Sequence, residues 1–284
     1  MAGAITVHQT KTYRHRGSPL PHLFANPSRL IAVAPGGQGK TTALVSLMLD
    51  KQFFRGAFSR IYIFSPSCGE GLDPVWDPVK KYIREDLGVD TDKEPCWFTE
   101  WDENHVKKLA AEHAKIAGHC KENGQDPYQA LFVIDDWAES RSVMRMHDQS
   151  IICSLFLRGR HQSISTWISS QCYKLLDPVI RKNATAILLW RCRAYPEIQA
   201  FTEECGGLTR HGPKLIEEIY HLAVNDAPHS FLYVNLMEKP QNMFWIRFDG
   251  GRVRLEDLDE EAPGKIPTTD KSAARIGYPC YSSG

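Results

Sequence analysis

The sequence lacks a net charge, a zinc-finger spacing and an apolar run of membrane length. Its 34 Lys and Arg residues balance its 34 Asp and Glu residues, which excludes a uniformly basic nucleic-acid coat but leaves open a local basic patch or a ring of several subunits. None of the eight cysteines stands in a C-x-x-C pair, so zinc-finger spacing is absent. No apolar run approaches the roughly 20 residues that cross a bilayer, and no secretory signal is visible. We therefore expect an intracellular protein with reduced thiols and no membrane span.

The order of apolar and polar stretches divides the chain of 284 residues into three parts. Residues 1–27 are polar and predict an N-terminal extension. Residues 28–249 alternate strand-like apolar runs with stretches of helical period, which predicts one α/β domain with a mainly parallel central sheet flanked by helices. Residues 250–284 are rich in Gly, Pro and charge, as is typical of a flexible C-terminal tail.

Short apolar runs without polar alternation are the candidate strands, because strands of a parallel sheet are buried on both faces. These runs are 30–34, 60–64, 131–134, 164–170 and 184–190, and two later runs, 230–236 and 243–248, predict a closing hairpin. The best helix follows Asp102, a suitable N-cap. We expect His113 on this helix to be a packing residue rather than a ligand. The apolar face of the helix is predicted to carry Val106, Leu109, Ala110, His113, Ile116, Ala117 and Cys120.

The most informative motif is a glycine-rich turn after the first apolar run. Residues 34–42 read APGGQGKTT, with Ala34 where the strict pattern has glycine. The backbone N–H groups of such a turn cradle phosphates, and the dipole of the following helix adds to the attraction. Lys40 would reach the β- and γ-phosphates of ATP, and the Thr41 hydroxyl would ligate Mg²⁺. The predicted nucleotide-binding residues are Pro35, Gly36, Gly37, Gln38, Gly39, Lys40, Thr41 and Thr42.

A second motif, LFVIDD at 131–136, has the Walker B pattern of four apolar residues followed by an acid. We expect this strand to lie beside the phosphate-loop strand. Its acids would then emerge at the carboxyl edge of the sheet, where ligands of open α/β sheets bind. Asp135 would hold the Mg²⁺ shell. Asp136 would orient or deprotonate the attacking water, with Glu139 as the alternative.

A third motif surrounds the strand at 164–170, with RGRH before it and Gln171 directly after it. In a RecA-like sheet this strand neighbours the phosphate-loop strand, so Gln171 would sit near the γ-phosphate and could sense hydrolysis. Arg158 or Arg160 would act across a subunit interface as an arginine finger, which stabilises charge on the transferred phosphoryl group. For either arginine, pairing with a surface acid is the open alternative.

The motifs follow one another in the order APGGQGKTT, FVIDDW, SLFLRGRHQSISTWISSQCYKL and VIRKNATAILLW. Over residues 28–248, this ordered set resembles the poxvirus-type DNA-packaging ATPases of the HerA/FtsK superfamily. The resemblance implies a RecA-like P-loop motor that uses ATP and Mg²⁺ to move double-stranded DNA into a capsid. It implies a homo-oligomeric ring, hexamer or pentamer, with a capsid or portal-vertex protein as partner. It also implies a viral protein of the host cytoplasm, at the virus factory, or of the virion.

The resemblance assigns roles residue by residue. Arg181 and Asn183 match the IRKN element and take a supporting or interface role, and Arg181 is a further candidate for the finger. The catalytic residues that the resemblance implies are Lys40, Asp135, Asp136, the sensor Gln171 and the finger Arg160.

Other readings of the same motifs remain. A HerA/FtsK-type translocase of a mobile element, or of conjugation or segregation, would use the same residues. A P-loop nucleotide kinase would usually carry an Arg-rich lid, and a GTPase an N-K-x-D motif, which the sequence lacks. A protein that binds nucleotide only for structure needs no transition-state groups. Three residues after Walker B are candidate DNA contacts, with exposed surface charge of no binding role as the open alternative, namely Arg141, Arg145 and His147.

Overall fold

The structure is a computed structural model that describes residues 14–137, 150–249, 251–253 and 269–270. In this part of the chain, eight α-helices flank one ten-stranded sheet. The helices are α1 (Lys40–Leu49), α2 (Asp77–Glu85), α3 (Glu103–Glu122), α4 (Ile151–Arg158), α5 (Pro178–Asn183), α6 (Tyr195–Cys205), α7 (Gly212–Asn225) and α8 (Pro240–Met243). The strands are β1 (Arg29–Val33), β2 (Arg60–Phe64), β3 (Trp97–Phe98), β4 (Ala130–Ile134), β5 (Ile164–Ser170), β6 (Ala186–Trp190), β7 (Phe231–Asn235), β8 (Phe244–Ile246), β9 (Arg252–Val253) and β10 (Thr269–Asp270).

The phosphate-loop strand β1 lies inside the parallel part of the sheet. The strand order is β10-β9-β8-β7-β6-β1-β5-β4-β2-β3, and the strands from β6 to β3 in that order run parallel. From β6 onward, β7 to β10 continue antiparallel. This arrangement confirms the predicted fold class, and the pairing of β7 with β8 confirms the closing hairpin. Each of the five candidate strands is present, with bounds within two residues of the predicted ones.

The acid-bearing strand β4 does not lie beside β1, contrary to the expectation from its sequence pattern, because β5 lies between them. Ile134 of β4 pairs with Ile168 of β5. The next residue, Asp135, therefore stands level with Ser169 on the intervening strand. A side chain of β5 is thus in position to join the two functional strands on either side of it.

The described part of the predicted N-terminal extension packs on the sheet domain. Phe24 is 1% exposed, and its ring stacks on Phe54 with centroids 4.8 Å apart and meets Trp167 edge-on at 6.0 Å. Burial of a Phe side chain contributes roughly 1.5–3 kcal/mol, so this segment helps to stabilise the core. The three-part division of the chain stays a prediction, since residues 1–13 and most of 250–284 lie outside the described residues.

Helix α3 forms where its cap and periodicity predicted it. Asp102 Oδ1 accepts hydrogen bonds from the N–H groups of Asn104 and His105 at 2.9 and 3.3 Å. Ile116, predicted on the buried face, is instead 41% exposed, because it lies about 80° around the helix from Val106. The residues of the predicted face that are buried are Val106, Leu109, Ala110, His113 and Ala117.

No helix in the described chain is long and apolar enough to cross a membrane.

A buried polar network links α3 to β2. The His113 side chain is buried, and its Nε2 lies 3.0 Å from the Tyr62 hydroxyl, which donates to Glu94 at 2.5 Å. Since that hydroxyl proton goes to Glu94, His113 donates through Nε2, and its buried Nδ1 has no hydrogen-bond partner among the described residues. Burial lowers the pKa of His113 to about 4, although the charge of Glu94 opposes this shift. His113 is therefore a neutral packing residue, as its position on the helix predicted.

We expect the free energy of unfolding to fall as the pH drops from 6.5 to 4. In this window the unfolded chain binds a proton at His113 that the folded chain does not bind, so acid favours unfolding by up to roughly 3 kcal/mol. His113→Gln removes the titrating group and keeps a donor towards Tyr62. Urea unfolding at both pH values should show a smaller loss for this variant than for the parent protein. His119→Gln, an exposed position on the same helix, is the control, and an equal loss in all three proteins would contradict the role of His113.

Candidate functional site

The loop after β1 borders a cavity at the carboxyl edge of the parallel strands. Its volume is about 910 Å³, within the range of ligand-binding clefts. Asp136, which follows β4, and Gln171, which follows β5, line the same cavity. The structure thus brings together residues that follow three separate strands. The whole predicted nucleotide-binding loop lines this cavity, namely Pro35, Gly36, Gly37, Gln38, Gly39, Lys40, Thr41 and Thr42.

Two glycines give this loop a backbone that other residues resist. Gly37 and Gly39 have φ values of 76° and 86°, in the left-handed region that a Cβ atom disfavours. No atom lies within 4 Å of the point that a Cβ would occupy at either residue, so the requirement is conformational rather than steric. Gly39 is the N-cap of α1, and its carbonyl accepts the N–H of Ala43 at 2.9 Å. The helix therefore begins at Lys40, with its first N–H groups free to bind an anion.

Asp135 is buried directly behind the loop. It is 0% exposed, and its Oδ2 accepts a hydrogen bond from the Thr41 hydroxyl at 3.2 Å. Its Oδ1 accepts a second bond from the Ser169 hydroxyl, and Ser169 Oγ in turn accepts the N–H of Asp136 at 3.1 Å. A buried carboxylate is strongly unfavourable unless its oxygens are bonded. Thr41 and Ser169 are the residues that make an acid tolerable here.

Lys40 reaches the second acid of the pair. Its Nζ lies 3.1 Å from Asp136 Oδ1, with the Lys40 side chain 7% exposed and that of Asp136 39% exposed. Asp136 has a φ of 58°, which is uncommon for a residue with a Cβ and is typical of functional sites. Burial raises the pKa of Asp135 to about 6, and the charge of Asp136 adds to this effect, whereas the Ser169 hydrogen bond and Lys40 oppose it. The site concentrates two carboxylates and one ammonium group beside the loop.

The oxygens of Thr41 and Asp135 form a donor set that fits Mg²⁺. A hydroxyl and a carboxylate are the hard ligands that this ion prefers, and it usually takes only one or two carboxylates from the protein and keeps several waters. Neither this site nor any other part of the described chain has a group of three or more His, Cys, Asp or Glu side chains that could hold a metal ion, so the protein would supply only these two ligands. The residues present therefore suit the predicted ion.

Strand β5 separates the two polar groups that were predicted at its ends. Gln171 follows the carboxyl end and lines the cavity. Arg160 lies in the 3₁₀ turn Gly159–Gln162, before the amino end. The seven residues of β5, about 20 Å of strand, stand between Arg160 and the phosphate loop of its own subunit. The structure does not bring Arg160 to this loop, so a role on phosphate requires a second subunit.

The other candidate finger arginines differ in their surroundings. Arg181 Nη1 lies 2.6 Å from Glu204 Oε1, and its guanidinium covers the Tyr173 ring at 5.0 Å. That side chain is only 11% exposed, so Arg181 is engaged within the subunit. Arg158 and Arg160 are exposed, and neither makes an ion pair within the described part of the chain.

Several residues with predicted roles lie outside the described residues. Segment 138–149 contains Glu139, the alternative base, and the candidate DNA contacts Arg141, Arg145 and His147. Their roles stay predictions.

The site also contains residues that the motifs did not identify. Ser169 was read only as part of the motif around β5, although a hydroxyl inside a fully buried strand is a signal that could have marked it. The cavity has an aromatic wall that includes Phe53, Phe231 and Phe248, with Arg247 beside it. These residues come from distant parts of the chain, so no local pattern links them to the loop.

No protein-family model and no curated protein matches this sequence. Among solved structures, the chain is similar to the genome packaging NTPase B204 from Sulfolobus turreted icosahedral virus 2 in complex with AMP, with 14% identity and a TM-score of 0.52 over 78% of this chain and 98% of that one. The AMPPCP complex of B204 matches with 14% identity and a TM-score of 0.50 over the same shares. EssC (ATPases 2 and 3) from Geobacillus thermodenitrificans matches with 14% identity and a TM-score of 0.49, over 78% of this chain and 39% of that one. The B204 likeness supports the fold, an α/β domain with a mainly parallel central sheet flanked by helices.

Replacing Ser169 by Ala should lower the free energy of unfolding by about 1–3 kcal/mol, because the buried Asp135 carboxylate and the Asp136 N–H both lose a partner. Ser170→Ala is the matched control, since within the described residues this neighbouring buried hydroxyl bonds to the backbone of Cys172 and to no carboxylate. Urea unfolding of the two variants measures the difference. A loss for Ser169→Ala no larger than that for Ser170→Ala would contradict the role of Ser169 in holding the acid.

Proposed function

We propose that the protein is an ATP-hydrolysing motor that moves double-stranded DNA into a viral capsid. The observation that carries this proposal is the convergence of Lys40, Thr41, Asp136 and Gln171 on one cavity at a glycine-rich turn. Asp135 is buried behind this cavity and is hydrogen-bonded to Thr41. A nucleotide-binding protein without hydrolysis has no use for a second acid and a sensor amide at this position. The fold likeness to a viral genome packaging NTPase supports the DNA-packaging part of the proposal.

The chain's own residues divide the work of hydrolysis. The loop N–H groups and Lys40 would bind the phosphates, and Thr41 with Asp135 would hold Mg²⁺, which when bound neutralises phosphate charge. A phosphate that binds Lys40 competes with Asp136 for the same ammonium group. The released carboxylate oxygen of Asp136 could then orient the attacking water or accept its proton. Gln171, at the end of β5, would contact the γ-phosphate or this water.

The position of Arg160 supports a finger role in trans within a ring, hexamer or pentamer, of identical subunits. Arg160 is exposed at the sheet edge opposite its own loop and has no acid partner among the described residues. Such a cation suits contact with a neighbouring subunit's phosphate. Arg158 is the alternative, whereas the ion pair with Glu204 disfavours Arg181. Duplex DNA and a capsid or portal-vertex protein are the further proposed partners, in the host cytoplasm or the virion.

Duplex DNA should raise the rate of ATP hydrolysis by the purified protein, and added salt should reduce this stimulation, because phosphate contacts release counterions.

Lys40→Ala should abolish hydrolysis with and without DNA, since it removes the cation aimed at the phosphates. Asp136→Asn should retain ATP binding and lose about 100-fold or more in turnover, because general-base work is needed only in the chemical step. Asp135→Asn should instead weaken Mg²⁺-dependent binding.

The outcomes separate the parts of the proposal. A rate of ATP hydrolysis that duplex DNA does not change would still support ATPase activity but would contradict DNA translocation. Near-normal turnover in Lys40→Ala would contradict the whole site, and normal turnover in both acid variants would contradict the Walker B assignment.

Arg160→Ala should bind ATP and assemble, yet lose about 10³-fold or more in turnover. Mixing it with Lys40→Ala should restore part of the activity, because an intact Arg160 of one subunit can then face an intact loop of the other. Turnover measured across mixing ratios tests this, with Arg158→Ala as the matched control that should stay active. The absence of recovery in rings shown to be mixed would count against a finger in trans. Full activity of Arg160→Ala alone would transfer the role to Arg158.

A further inference from the structure

The aromatic wall of the cavity is not used by any of the phosphate-binding roles above. Phe53, Phe231 and Phe248 line the same cavity as the loop. The Phe248 ring meets Phe53 with centroids 5.3 Å apart and Phe231 with centroids 5.1 Å apart, and Phe231 packs on Trp190 at 4.4 Å. These rings come from the segment after α1, from β6, from β7 and from the turn after β8. The rings pack into one aromatic cluster beside the phosphate loop, in which Phe231 and Phe248 keep 6% and 8% of their surface exposed.

A fixed cation adjoins this aromatic cluster. Arg247 lines the cavity, and its guanidinium is held by Asp226 at 2.6 Å and by Asp249 at 3.2 Å. Arg247 has a φ of 52° and His229, also on the cavity wall, has a φ of 59°. Residues with a Cβ keep this backbone conformation only where the surroundings hold it, and they cluster at ligand sites. The guanidinium is therefore positioned in advance rather than free to move.

The sheet order decides which part of a nucleotide meets this wall. The acids and Gln171 follow β4 and β5, on one side of β1, whereas the aromatic wall is built on β6, β7 and the chain after β8, on the other side. A nucleotide whose phosphates lie on the loop meets charged groups on the first side. On the second side the cavity wall is made of aromatic rings with Arg247 and Asp249 beside them, so this side offers the base apolar contacts that the first side lacks.

We propose that Phe231, Phe248 and Arg247 form a purine-binding subsite, in which the base accepts hydrogen bonds from the guanidinium. Because the planes of the two rings are inclined at 69°, the base stacks on one ring and meets the other edge-on. The subsite rests on the proposed nucleotide-binding function and specifies which nucleotides the site takes. Fused purine rings offer more stacking surface than a pyrimidine. Arg has only donors, and the N7 acceptor edge is shared by adenine and guanine and absent from pyrimidines.

Calorimetric titration of the full chain with ATP, GTP, CTP and inorganic tripolyphosphate, each with Mg²⁺, tests the subsite. The parent protein should bind ATP and GTP about tenfold or more tightly than tripolyphosphate, within the range of base–aromatic stacking, with CTP between them.

Phe248→Leu should lose most of this advantage and bind tripolyphosphate like the parent, which also reports an intact loop. Phe98→Leu, an aromatic of another pocket, is the control. Arg247→Gly, which suits the left-handed backbone, should weaken the preference for ATP over CTP, because the rings remain but the donor to the purine edge is lost.

Equal affinity of the parent for ATP and tripolyphosphate would overturn the subsite and leave the proposed function intact. Parallel weakening of ATP and tripolyphosphate in Phe248→Leu would also overturn it, since the ring would then only support the fold. Failure of the parent to bind either ligand would contradict the proposed function itself.

Discussion

The buried negative charge of Asp135 is the constraint on which the rest of the site depends. A carboxylate without solvent must have both oxygens bonded, and here the two partners come from different elements, Thr41 on α1 and Ser169 on β5. These bonds form only if β1, β5 and β4 are adjacent in that order and in register. The site therefore depends on the same strand order and register as the sheet.

The same sheet order separates the functional groups over two edges. The phosphate loop, the acids and Gln171 share the carboxyl edge, while Arg160 stands at the amino edge, one strand length away. A parallel sheet always separates groups at the two ends of one strand in this way, because neighbouring strands run in the same direction. A single subunit thus has the proposed phosphate site at one edge and, at the other, an arginine with no acid partner among the described residues. A head-to-tail ring can complete this arrangement.

Backbone strain in the described residues concentrates at these places. Of the non-glycine residues with positive φ, Asp136, His229 and Arg247 line the cavity, and Ser163 ends the turn that carries Arg160. Such conformations persist only where other contacts hold them. Asp136 is held by Ser169 and Lys40, and Arg247 by two acids. The fold therefore maintains strain where ligands are proposed to bind.

The local elements of this protein follow from contiguous stretches of its sequence. The glycine-rich turn, the apolar runs of β1, β2, β4, β5 and β6, and the Asp102 cap are contiguous patterns, and they were predicted within two residues. The sequence did not predict the short strand β3 or the exposure of Ile116, because neither has a strong local signal. Long-range contacts set the position of β5 between β4 and β1, the ion pair of Arg181 with Glu204, and the ring contact of Phe53 with Phe248. These contacts join segments distant in the chain, and their free energy depends on long-range strand pairing and loop closure, which no local window of residues contains.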